Sequence, residues 1–266
     1  MPLDLDTLNR QFYQSKQVAE WYASKSFVMP EEEAFLGEFA REFRGGRVLD
    51  AGIGTGRSTR YLLPIAGQYI GFDYARDMVE QAKRQFPDAC LEVQDARDLS
   101  VYPRHQFDLV LFSFNGIDCL SQDGRMSALR EIHRVLKPNG LFAFSSHNRE
   151  RPVVTAYALE NLPLSRNPLT MFKNIKRYVV GIWNWLRSRH LARETPEYAL
   201  RHDSGNVFEV PAYYITKSSQ AAQLGRAGFA LETLYDRRGQ TSTITAQDPD
   251  SSWIFYVSRA ISAKDY

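Results

Sequence analysis

The residues with the clearest chemical signature are three alternating glycines, Gly52, Gly54 and Gly56, followed by a carboxylate at Asp73. Alternating glycines let the backbone turn tightly and approach a ligand without interference from Cβ atoms. Asp73 lies 21 residues after Gly52, close to the spacing of about 20 residues at which a carboxylate meets ribose hydroxyls. Because a carboxylate accepts from both the 2′ and the 3′ hydroxyl, this pattern predicts a ligand with an adenosine-like part.

Details of the glycine turn exclude two other phosphate-binding motifs. A dinucleotide fingerprint requires Gly-x-Gly-x-x-Gly, but here the third glycine comes one residue early and Arg57 occupies its position. The Lys-Ser/Thr pair of a P-loop is also missing from this turn. Instead, Asp50 stands two residues before the first glycine, and Asp95-Ala96 follows a later apolar segment. The Asp95 carboxylate could accept a hydrogen bond from an adenine amino group.

Two further side chains are candidates for the catalytic step. His147 follows an apolar segment and could act as a general base, because imidazole titrates near neutrality. The alternative is a structural histidine that bonds to loop backbone. Asn115 could bind a substrate, or it could be an ordinary turn residue. His105 and His133 are expected to be structural.

The elements that must position these residues are predicted from the periodicity of apolar side chains. Apolar segments predict strands at 47–52, 69–73, 91–95, 107–113 and 141–146. Helix-period segments lie between them, and the last of these, which includes Leu129 to Leu136, is expected to stop at 137–140. This alternation predicts an α/β fold with a parallel sheet and helices on both faces. Ligands of such sheets bind at the carboxyl ends of the strands, where the candidate residues lie.

Over roughly residues 45–150 the chain resembles the class I S-adenosylmethionine-dependent methyltransferases. Their acidic-x-Gly-x-Gly-x-Gly loop is matched by Asp50 and the three glycines, and their ribose carboxylate by Asp73. Their adenine-side acidic residue is matched by Asp95. The segment 131–140 also fits, with an asparagine where the family usually has the first glycine of Pro-Gly-Gly.

This resemblance implies a fold. It is a Rossmann-like, seven-stranded sheet that is mostly parallel, with its last strand antiparallel, helices on both faces and a helical cap insert. Residues 229–235 and 252–258 are suitable sixth and seventh strands.

The resemblance also implies a cofactor, S-adenosyl-L-methionine, which becomes S-adenosyl-L-homocysteine. The residues expected to hold it are Asp50, Gly52, Gly54, Gly56, Asp73, Tyr74, Met78, Asp95, Ala96 and Ser113. Met78 enters by analogy and could equally be a core residue. No metal is expected, because the sequence shows no metal-ligand constellation. Cys90 and Cys119 are expected to be inert thiols, since neither follows a proline as the nucleophile of cytosine-C5 methyltransferases does.

Composition limits the class of protein. The chain has 266 residues, 33 basic and 31 acidic side chains, two cysteines and 44% hydrophobic residues. This length and apolar content predict a folded protein with a full core. Two cysteines cannot build a disulfide framework, and the first residues show no secretory signal pattern. The longest nearly apolar stretch, 178–186, is too short to span a bilayer. A soluble, cytoplasmic protein is therefore expected.

The chain is predicted to divide into four segments: an N-terminal helical lid (1–44), the cofactor-binding core (45–148), a helical cap that binds the acceptor (149–215) and the last part of the core sheet (216–266). Class I enzymes choose their acceptors with segments added to a common core. In the lid, Tyr13, Trp21 or Tyr22 could contact cofactor or acceptor, or could simply pack.

The cap contains a basic amphipathic helix whose apolar residues at 172, 175, 179, 182 and 186 share one face. Seven basic and no acidic residues lie between 161 and 193, which leaves the rest of the chain with 26 basic and 31 acidic side chains, a net charge of −5. Three interpretations stay open. The helix could rest its apolar face on the core, lie on an anionic membrane through 171–193, or grip RNA or another polyanion, with nucleic acid the less favoured partner.

The expected activity is methyl transfer from S-adenosylmethionine to an oxygen or nitrogen of a small or amphiphilic molecule. Enzymes that methylate amino groups of nucleobases or glutamine usually carry Asn/Asp-Pro-Pro-Tyr/Phe after the fourth strand, and this chain has no proline there. The alternatives are a tRNA or protein methyltransferase that uses the basic segment 161–193, and a non-catalytic cofactor-binding scaffold. A sulfonium is intrinsically reactive, so a base is needed only when the acceptor holds its proton at neutral pH.

Overall fold

A central β-sheet organises the chain, which a computed structural model describes over residues 4–23 and 27–261 without the side chains of Lys16, Gln17 and Trp21. The predicted contact of Trp21 therefore lies outside the described side chains. The strands are β1 (Arg47–Ala51), β2 (Gln68–Asp73), β3 (Cys90–Val93), β4 (Phe107–Phe112), β5 (Leu136–Asn148), β6 (Arg193–Glu194), β7 (Tyr198–Arg201), β8 (Ala212–Ile215), β9 (Phe229–Tyr235), β10 (Thr241–Ser242) and β11 (Trp253–Ala260). The α-helices are α1 (Leu5–Tyr13), α2 (Lys16–Ala23), α3 (Pro30–Phe43), α4 (Thr59–Leu62), α5 (Arg76–Gln85), α6 (Gln122–Val135), α7 (Pro168–Ser188) and α8 (Lys217–Arg226).

The strand order confirms the predicted α/β class. The main path of the sheet runs β10-β9-β11-β5-β4-β1-β2-β3. Strands β1 to β5 pair in parallel, whereas β11 is antiparallel to both β5 and β9. This is the Rossmann-like sheet with an antiparallel last strand. The carboxyl ends of β1, β2 and β4 meet at one edge, because parallel strands point the same way.

The number of strands differs from the prediction, since eleven rather than seven form within the described residues. Three of the additional strands, β6 to β8, come from the segment predicted as a helical cap. Strand β5 pairs with β4 as far as Phe144, and its last residues, His147 and Asn148, extend beyond β4. They pair in parallel with Tyr214 and Ile215 of β8. The insert is therefore tied to the core sheet by hydrogen bonds.

The end of α6 also differs from the prediction. The helix stops at Val135, and the expected turn at 137–140 lies inside the irregular start of β5. Asn139 has φ +62°, a left-handed conformation that asparagine tolerates better than most residues. The register with β4 shifts between Phe107 and Leu109, which accommodates this irregularity.

Each face of the sheet carries a hydrophobic core. On one face, Phe35, Phe39 and Phe43 of α3 pack in a cluster with Val48 and Leu109. Their spacing of four residues places them on one side of the helix. On the other face, residues of α6 and α8 join β4, β5 and β11 in a second cluster. The helices on both faces leave the carboxyl ends of the strands open, which is where a ligand can enter.

Helix α7 is the exception to this inward packing. Most of its large apolar side chains are exposed, including Phe172, Ile175, Val179 and Leu186 of the predicted apolar face, whereas Ile182 is half-buried. Its buried residues are the small Gly181 and Ser188. The interpretation that α7 rests its apolar face on the core is therefore wrong, because that face points to solvent. Within the described ranges, no helix is both long enough and apolar enough to cross a membrane.

Candidate active site

A cavity opens where β1, β2 and β4 end. Eight of the ten residues predicted to hold the cofactor line it: Gly52, Gly54, Asp73, Tyr74, Met78, Asp95, Ala96 and Ser113. Tyr13 and Tyr22 of the N-terminal helices also line it. The other two, Asp50 and Gly56, are not among the residues that line the cavity. Most of the residues predicted from the sequence therefore lie on one continuous surface, while their roles in cofactor binding stay predictions.

The glycine turn requires glycine for conformation and for space. Gly52, Gly54 and Gly56 have φ values of +63°, +54° and +94°, which L side chains rarely adopt. A Cβ at Gly52 would lie 2.6 Å from the Phe112 ring, and one at Gly56 would lie 2.7 Å from the Phe86 ring. A Cβ at Gly54 would meet no atom within 4 Å, so this residue faces the open cavity. Aromatic rings therefore pack against one side of the turn, and Gly54 on its other side faces the open cavity.

Asp73 connects the glycine turn to the start of α5. Its carboxylate accepts from the backbone N–H of Gly54 at 2.9 Å and of Ala75 at 2.8 Å. Burial raises the pKa of Asp73 to about 6, although these two hydrogen bonds favour the charged form. Each carboxylate oxygen has a second lone pair, so Asp73 retains the capacity to accept from ligand hydroxyls.

Asp50 has a different position from the other predicted carboxylates. It is fully buried in β1 and accepts from the Tyr69 hydroxyl at 2.7 Å. Burial raises the pKa of Asp50 to about 7. Tyr69 in turn bonds to Thr59 of α4 at 2.7 Å. Asp50 thus fixes the turn from behind, and its predicted contact with the cofactor stays a prediction.

Asp95 lies at the cavity but is already paired with arginines that the sequence analysis missed. Its two oxygens accept from Arg97 side-chain nitrogens at 3.0 and 2.7 Å, and Oδ2 also accepts from Arg10 at 3.1 Å. Burial opposes ionisation, but the hydrogen bonds from Arg97 outweigh it and hold the pKa of Asp95 below its usual value. A charged Asp95 can therefore act only as an acceptor.

A second charge pair missed by sequence reasoning lies beside Ser113. Arg57 donates to both oxygens of Glu32, at 2.6 and 2.5 Å, and to the Ser113 hydroxyl at 2.7 Å. Glu32 is held by the start of α3, where the Met29 N–H donates to it at 2.9 Å. The pair joins α3 to the glycine turn and fixes Ser113 at the cavity wall. The unusual Arg57 in the glycine position was a sequence signal for this contact.

The end of β4 adopts a strained conformation. Phe114 and Asn115 both have positive φ, at +53° and +60°, and such strain is often found at functional sites. The Asn115 N–H donates to the Ser145 hydroxyl at 2.7 Å, which fixes the turn. Its side-chain oxygen is buried and has no hydrogen-bond partner among the described residues. Asn115 therefore presents an unused acceptor beside His147, whose Nε2 lies 3.4 Å from Asn115 Nδ2.

His147 is paired with a carboxylate. Asp118 Oδ2 lies 2.7 Å from His147 Nδ1 and accepts from the His147 N–H at 2.7 Å. Burial disfavours the charged imidazole, but the hydrogen bond and charge of Asp118 outweigh it and raise the pKa of His147 above 6.5. The His147 ring also packs on Tyr214, with centroids 4.9 Å apart. This geometry differs from the alternative in which the His147 side chain bonds only to loop backbone.

Asp118 is itself held by a buried arginine. Its Oδ1 accepts from Arg125 at 2.7 Å and from the Ser146 hydroxyl at 2.6 Å. Burial raises its pKa, but hydrogen bonding to His147 and the charge of Arg125 reverse this and leave the pKa of Asp118 low. Sequence reasoning missed Asp118 as a partner, although it follows Asn115 by three residues at the end of β4. The pairing depends on β4 and β5 being neighbours.

A second, larger cleft adjoins the first cavity. The two share Tyr13, Tyr22, Phe114 and Cys119 as lining residues. Asn115 and His147 line the second cleft, together with residues of the insert. Burial raises the pKa of Cys119 to about 12, which agrees with an unreactive thiol. The site thus consists of a cofactor-type cavity and an acceptor-type cleft that meet at the end of β4.

No three His, Cys, Asp or Glu side chains come together as metal ligands in the part of the chain that is described. Metal-free chemistry therefore stays a prediction.

Comparison with known sequences supports this description. Residues 48–140 match the methyltransferase-domain family. A demethylmenaquinone methyltransferase of Renibacterium salmoninarum is 31% identical over 128 residues, which are 46% of this chain and 52% of that protein. The chain spans about half or less of the length of the curated relatives it matches.

Solved structures with the same fold cover most of the chain. An S-adenosylmethionine-dependent methyltransferase of Mesorhizobium loti has a TM-score of 0.58 at 22% identity, covering 86% of this chain and 97% of that one. A 1,6-didemethyltoxoflavin-N1-methyltransferase of Burkholderia thailandensis has a TM-score of 0.58 at 16% identity, covering 96% and 88%. That enzyme was solved with 1,6-didemethyltoxoflavin and S-adenosylhomocysteine. Residues 48–140 therefore match a methyltransferase domain by sequence, and the chain has the same fold as solved S-adenosylmethionine-dependent methyltransferases.

Proposed function

We propose that this protein transfers a methyl group from S-adenosylmethionine to an oxygen or nitrogen atom of a small or amphiphilic acceptor, with His147 as general base. The observation that carries the proposal is the Asp118–His147 pair at 2.7 Å in the lining of the second cleft, next to Cys119, which also lines the cofactor-type cavity. A base is needed only for an acceptor that holds its proton at neutral pH, which favours a hydroxyl or a protonated nitrogen.

The residues around the first cavity fit S-adenosylmethionine. The open space in front of Gly54 suits close approach by a ligand, and Asp73 has acceptor capacity for ribose hydroxyls. Asp95 and Ala96 would face the adenine, with Tyr74 and Met78 as apolar walls. When bound, this cofactor supplies a methyl group on a positively charged sulfur.

The residues of the second cleft have separate tasks in this mechanism. Neutral His147 donates Nδ1–H to Asp118, which leaves Nε2 as the acceptor nitrogen; its long 3.4 Å contact with Asn115 Nδ2 would give way to the acceptor's proton. Nε2 would take the acceptor's proton as the acceptor's oxygen or nitrogen forms a bond to the methyl carbon; the carbon–sulfur bond would break and leave its electron pair on the sulfur of S-adenosylhomocysteine. Asp118 stabilises the resulting imidazolium, and Arg125 keeps Asp118 ionised. Asn115 lines the second cleft and would help to orient the acceptor, but its unpartnered Oδ1 is buried and would have to become exposed to accept a hydrogen bond.

The size and lining of the second cleft favour an acceptor larger than a simple metabolite. The cleft combines polar groups, such as Asp203 and Asn184, with the apolar Val153, Val180 and Trp253. The names of similar proteins include a demethylmenaquinone and a heterocyclic nitrogen methyltransferase. These names support an amphiphilic or heterocyclic acceptor, and a cytoplasmic location remains part of the proposal.

The test combines cofactor binding with turnover. Calorimetry is expected to show binding of S-adenosylmethionine, and a panel of phenols, quinols, carboxylates and heterocyclic amines is expected to contain an acceptor that yields S-adenosylhomocysteine. His147→Ala is expected to lower turnover well over tenfold and leave cofactor affinity unchanged. His190→Ala, an exposed histidine, serves as the matched control.

Three results would contradict the proposal. Binding without turnover on any acceptor would indicate a scaffold. Methyl transfer to a carbon atom, or to tRNA or protein only, would contradict the proposed acceptor class of a small or amphiphilic molecule methylated on oxygen or nitrogen. Full activity of the His147→Ala variant would remove the general base.

A further inference from the structure

Helix α7 presents its polar side to the protein. Asn174, Tyr178 and Asn184 donate side-chain hydrogen bonds to backbone carbonyls of the neighbouring loops, at 2.6, 2.7 and 3.1 Å. Gly181, between them on the same side, is buried against Phe208. These contacts hold the helix in place without burying any large aliphatic side chain. The orientation is the reverse of that expected for an amphipathic helix on a globular protein.

The opposite side of α7 forms an exposed apolar stripe. Its side chains follow one another at steps of three or four residues along the helix, with exposed fractions of 76% for Leu169, 68% for Phe172, 43% for Ile175, 57% for Val179, 61% for Trp183 and 46% for Leu186. Contiguous apolar surface of this kind marks an interaction site, because water contact with it is unfavourable.

Basic side chains border the stripe. Lys173, Lys176, Arg177 and Arg187 are exposed, and none of them forms an ion pair with a described residue. No acidic residue lies between 161 and 193. The partner of this surface must therefore be apolar along one line and negatively charged beside it.

We infer that α7 docks on the surface of an anionic phospholipid bilayer. The apolar stripe would enter the boundary between headgroups and acyl chains, with Trp183 at a depth that suits indole. Lysine and arginine would stay at the level of the phosphates, since their long stems allow the charge to reach water. This inference gives the protein a location and does not depend on the proposed methyl transfer.

Two other occupants agree less well with the surface. A second copy of the chain, paired helix against helix, would bring like charges together without any acidic residue on α7 to offset them. RNA would satisfy the basic residues but leave the exposed Leu169, Val179 and Leu186 in water. Of these three occupants, only a membrane surface accepts both the charge and the aliphatic side chains.

Flotation of the full chain with vesicles tests the inference. At low salt we expect the partition coefficient to be at least about tenfold higher for phosphatidylcholine vesicles that contain phosphatidylglycerol than for pure phosphatidylcholine, and to fall as salt is added. Phe172→Ser/Trp183→Ser and Lys173→Glu/Lys176→Glu are each expected to lower it about tenfold or more. These side chains are exposed, so calorimetry with S-adenosylmethionine is expected to show unchanged affinity.

Matched controls use exposed residues elsewhere. Val101→Ser/Ile244→Ser removes two exposed apolar side chains and Arg41→Glu/Arg44→Glu reverses two charges, and both are expected to bind vesicles normally. Absence of binding to anionic vesicles at low salt would overturn the inference. Binding that needs the two lysines but not Phe172 and Trp183, together with RNA binding, would assign a polyanion instead. Self-association lost in Phe172→Ser/Trp183→Ser would assign a second copy.

Discussion

At the residue scale, Asp118 decides what His147 can do. A lone buried histidine would be neutral and free to rotate, whereas the Asp118 carboxylate fixes Nδ1 as the donor at 2.7 Å. The other charged groups that influence His147 are Asp203, which favours its protonation, and Arg125, which opposes it. The balance raises the pKa of His147 above 6.5, so the base must lose its proton in the neutral range to act.

This balance predicts the pH dependence of turnover. Only neutral His147 accepts a proton, so kcat/KM is expected to rise with pH and level off above a pKa higher than 6.5. Asp118→Asn removes the negative charge and so lowers the pKa of His147, and the rising part of the kcat/KM profile is expected to move to lower pH. The plateau value of kcat/KM is expected to fall about tenfold or more, because the ring loses its orientation. Kinetics between pH 5 and 9 measure both. If the rising part of the kcat/KM profile lies at the same pH in Asp118→Asn as in the unmodified protein, His147 is not the titrating base.

Asp73 predicts a second pH effect, on cofactor binding. Ribose hydroxyls donate to the charged carboxylate, and burial raises the pKa of Asp73 to about 6 in the free protein. The Kd for S-adenosylmethionine is therefore expected to be constant above that pH and to rise as pH falls below it, by up to about tenfold per pH unit. Calorimetry between pH 5 and 7 measures it. Asp73→Asn is expected to bind weakly and without this slope, and a remaining slope would assign it to Asp50.

Single residues were predictable where spacing along the chain defines the contact. Gly54 and Asp73 could be found because the length of one β-strand–turn–helix unit fixes their separation. Asp118 and Glu32 could not, because their partners, His147 and Arg57, lie 29 and 25 residues away and meet them only through strand order and the placement of α3. Pairing across elements leaves no periodic signal in the sequence.

At the element scale, the glycine turn is both a structural corner and a binding surface, and Gly54→Ala separates the two. The new Cβ would enter the open cavity at a φ of +54°. We expect the Kd for S-adenosylmethionine to increase about tenfold or more, while the free energy of unfolding falls by only about 1 kcal/mol. Gly45→Ala is the control, because Gly45 has φ +72°, equally open space and a position away from the cavity. Equal losses of affinity in both variants would contradict a binding role for the turn.

Elements were predictable where a buried apolar run marks a strand. Strands β1, β2 and β4 begin and end close to the predicted positions because each is buried on both faces. Strands β6 to β8 have two to four residues, which is too short for a pattern. The orientation of α7 was also unpredictable, because amphipathicity defines two faces without saying which one meets the protein.

At the scale of the whole molecule, Arg125 joins the core to the insert. Its guanidinium is fully buried and donates to Asp118, Ser146 and Gln220, at 2.7, 3.0 and 2.6 Å. It also lies over the ring of Tyr213 in β8, 4.5 Å from the centroid. Residues of β5, β8 and α8 therefore contact the charged side chain of Arg125 on α6, and the position of the Asp118–His147 pair depends on this arginine.

Arg125→Met is accordingly expected to lower the free energy of unfolding by about 3–5 kcal/mol, because it leaves the buried charge of Asp118 without its arginine partner. Urea denaturation measures this loss, and Arg130→Met, an exposed arginine on the same helix, is expected to change stability by about 0.5 kcal/mol or less. Adding Asp118→Asn to Arg125→Met removes the unpaired charge, so the double variant is expected to recover part of the stability but none of the turnover. If Arg125→Met unfolds like the control, the buried network is not what holds the insert to the core.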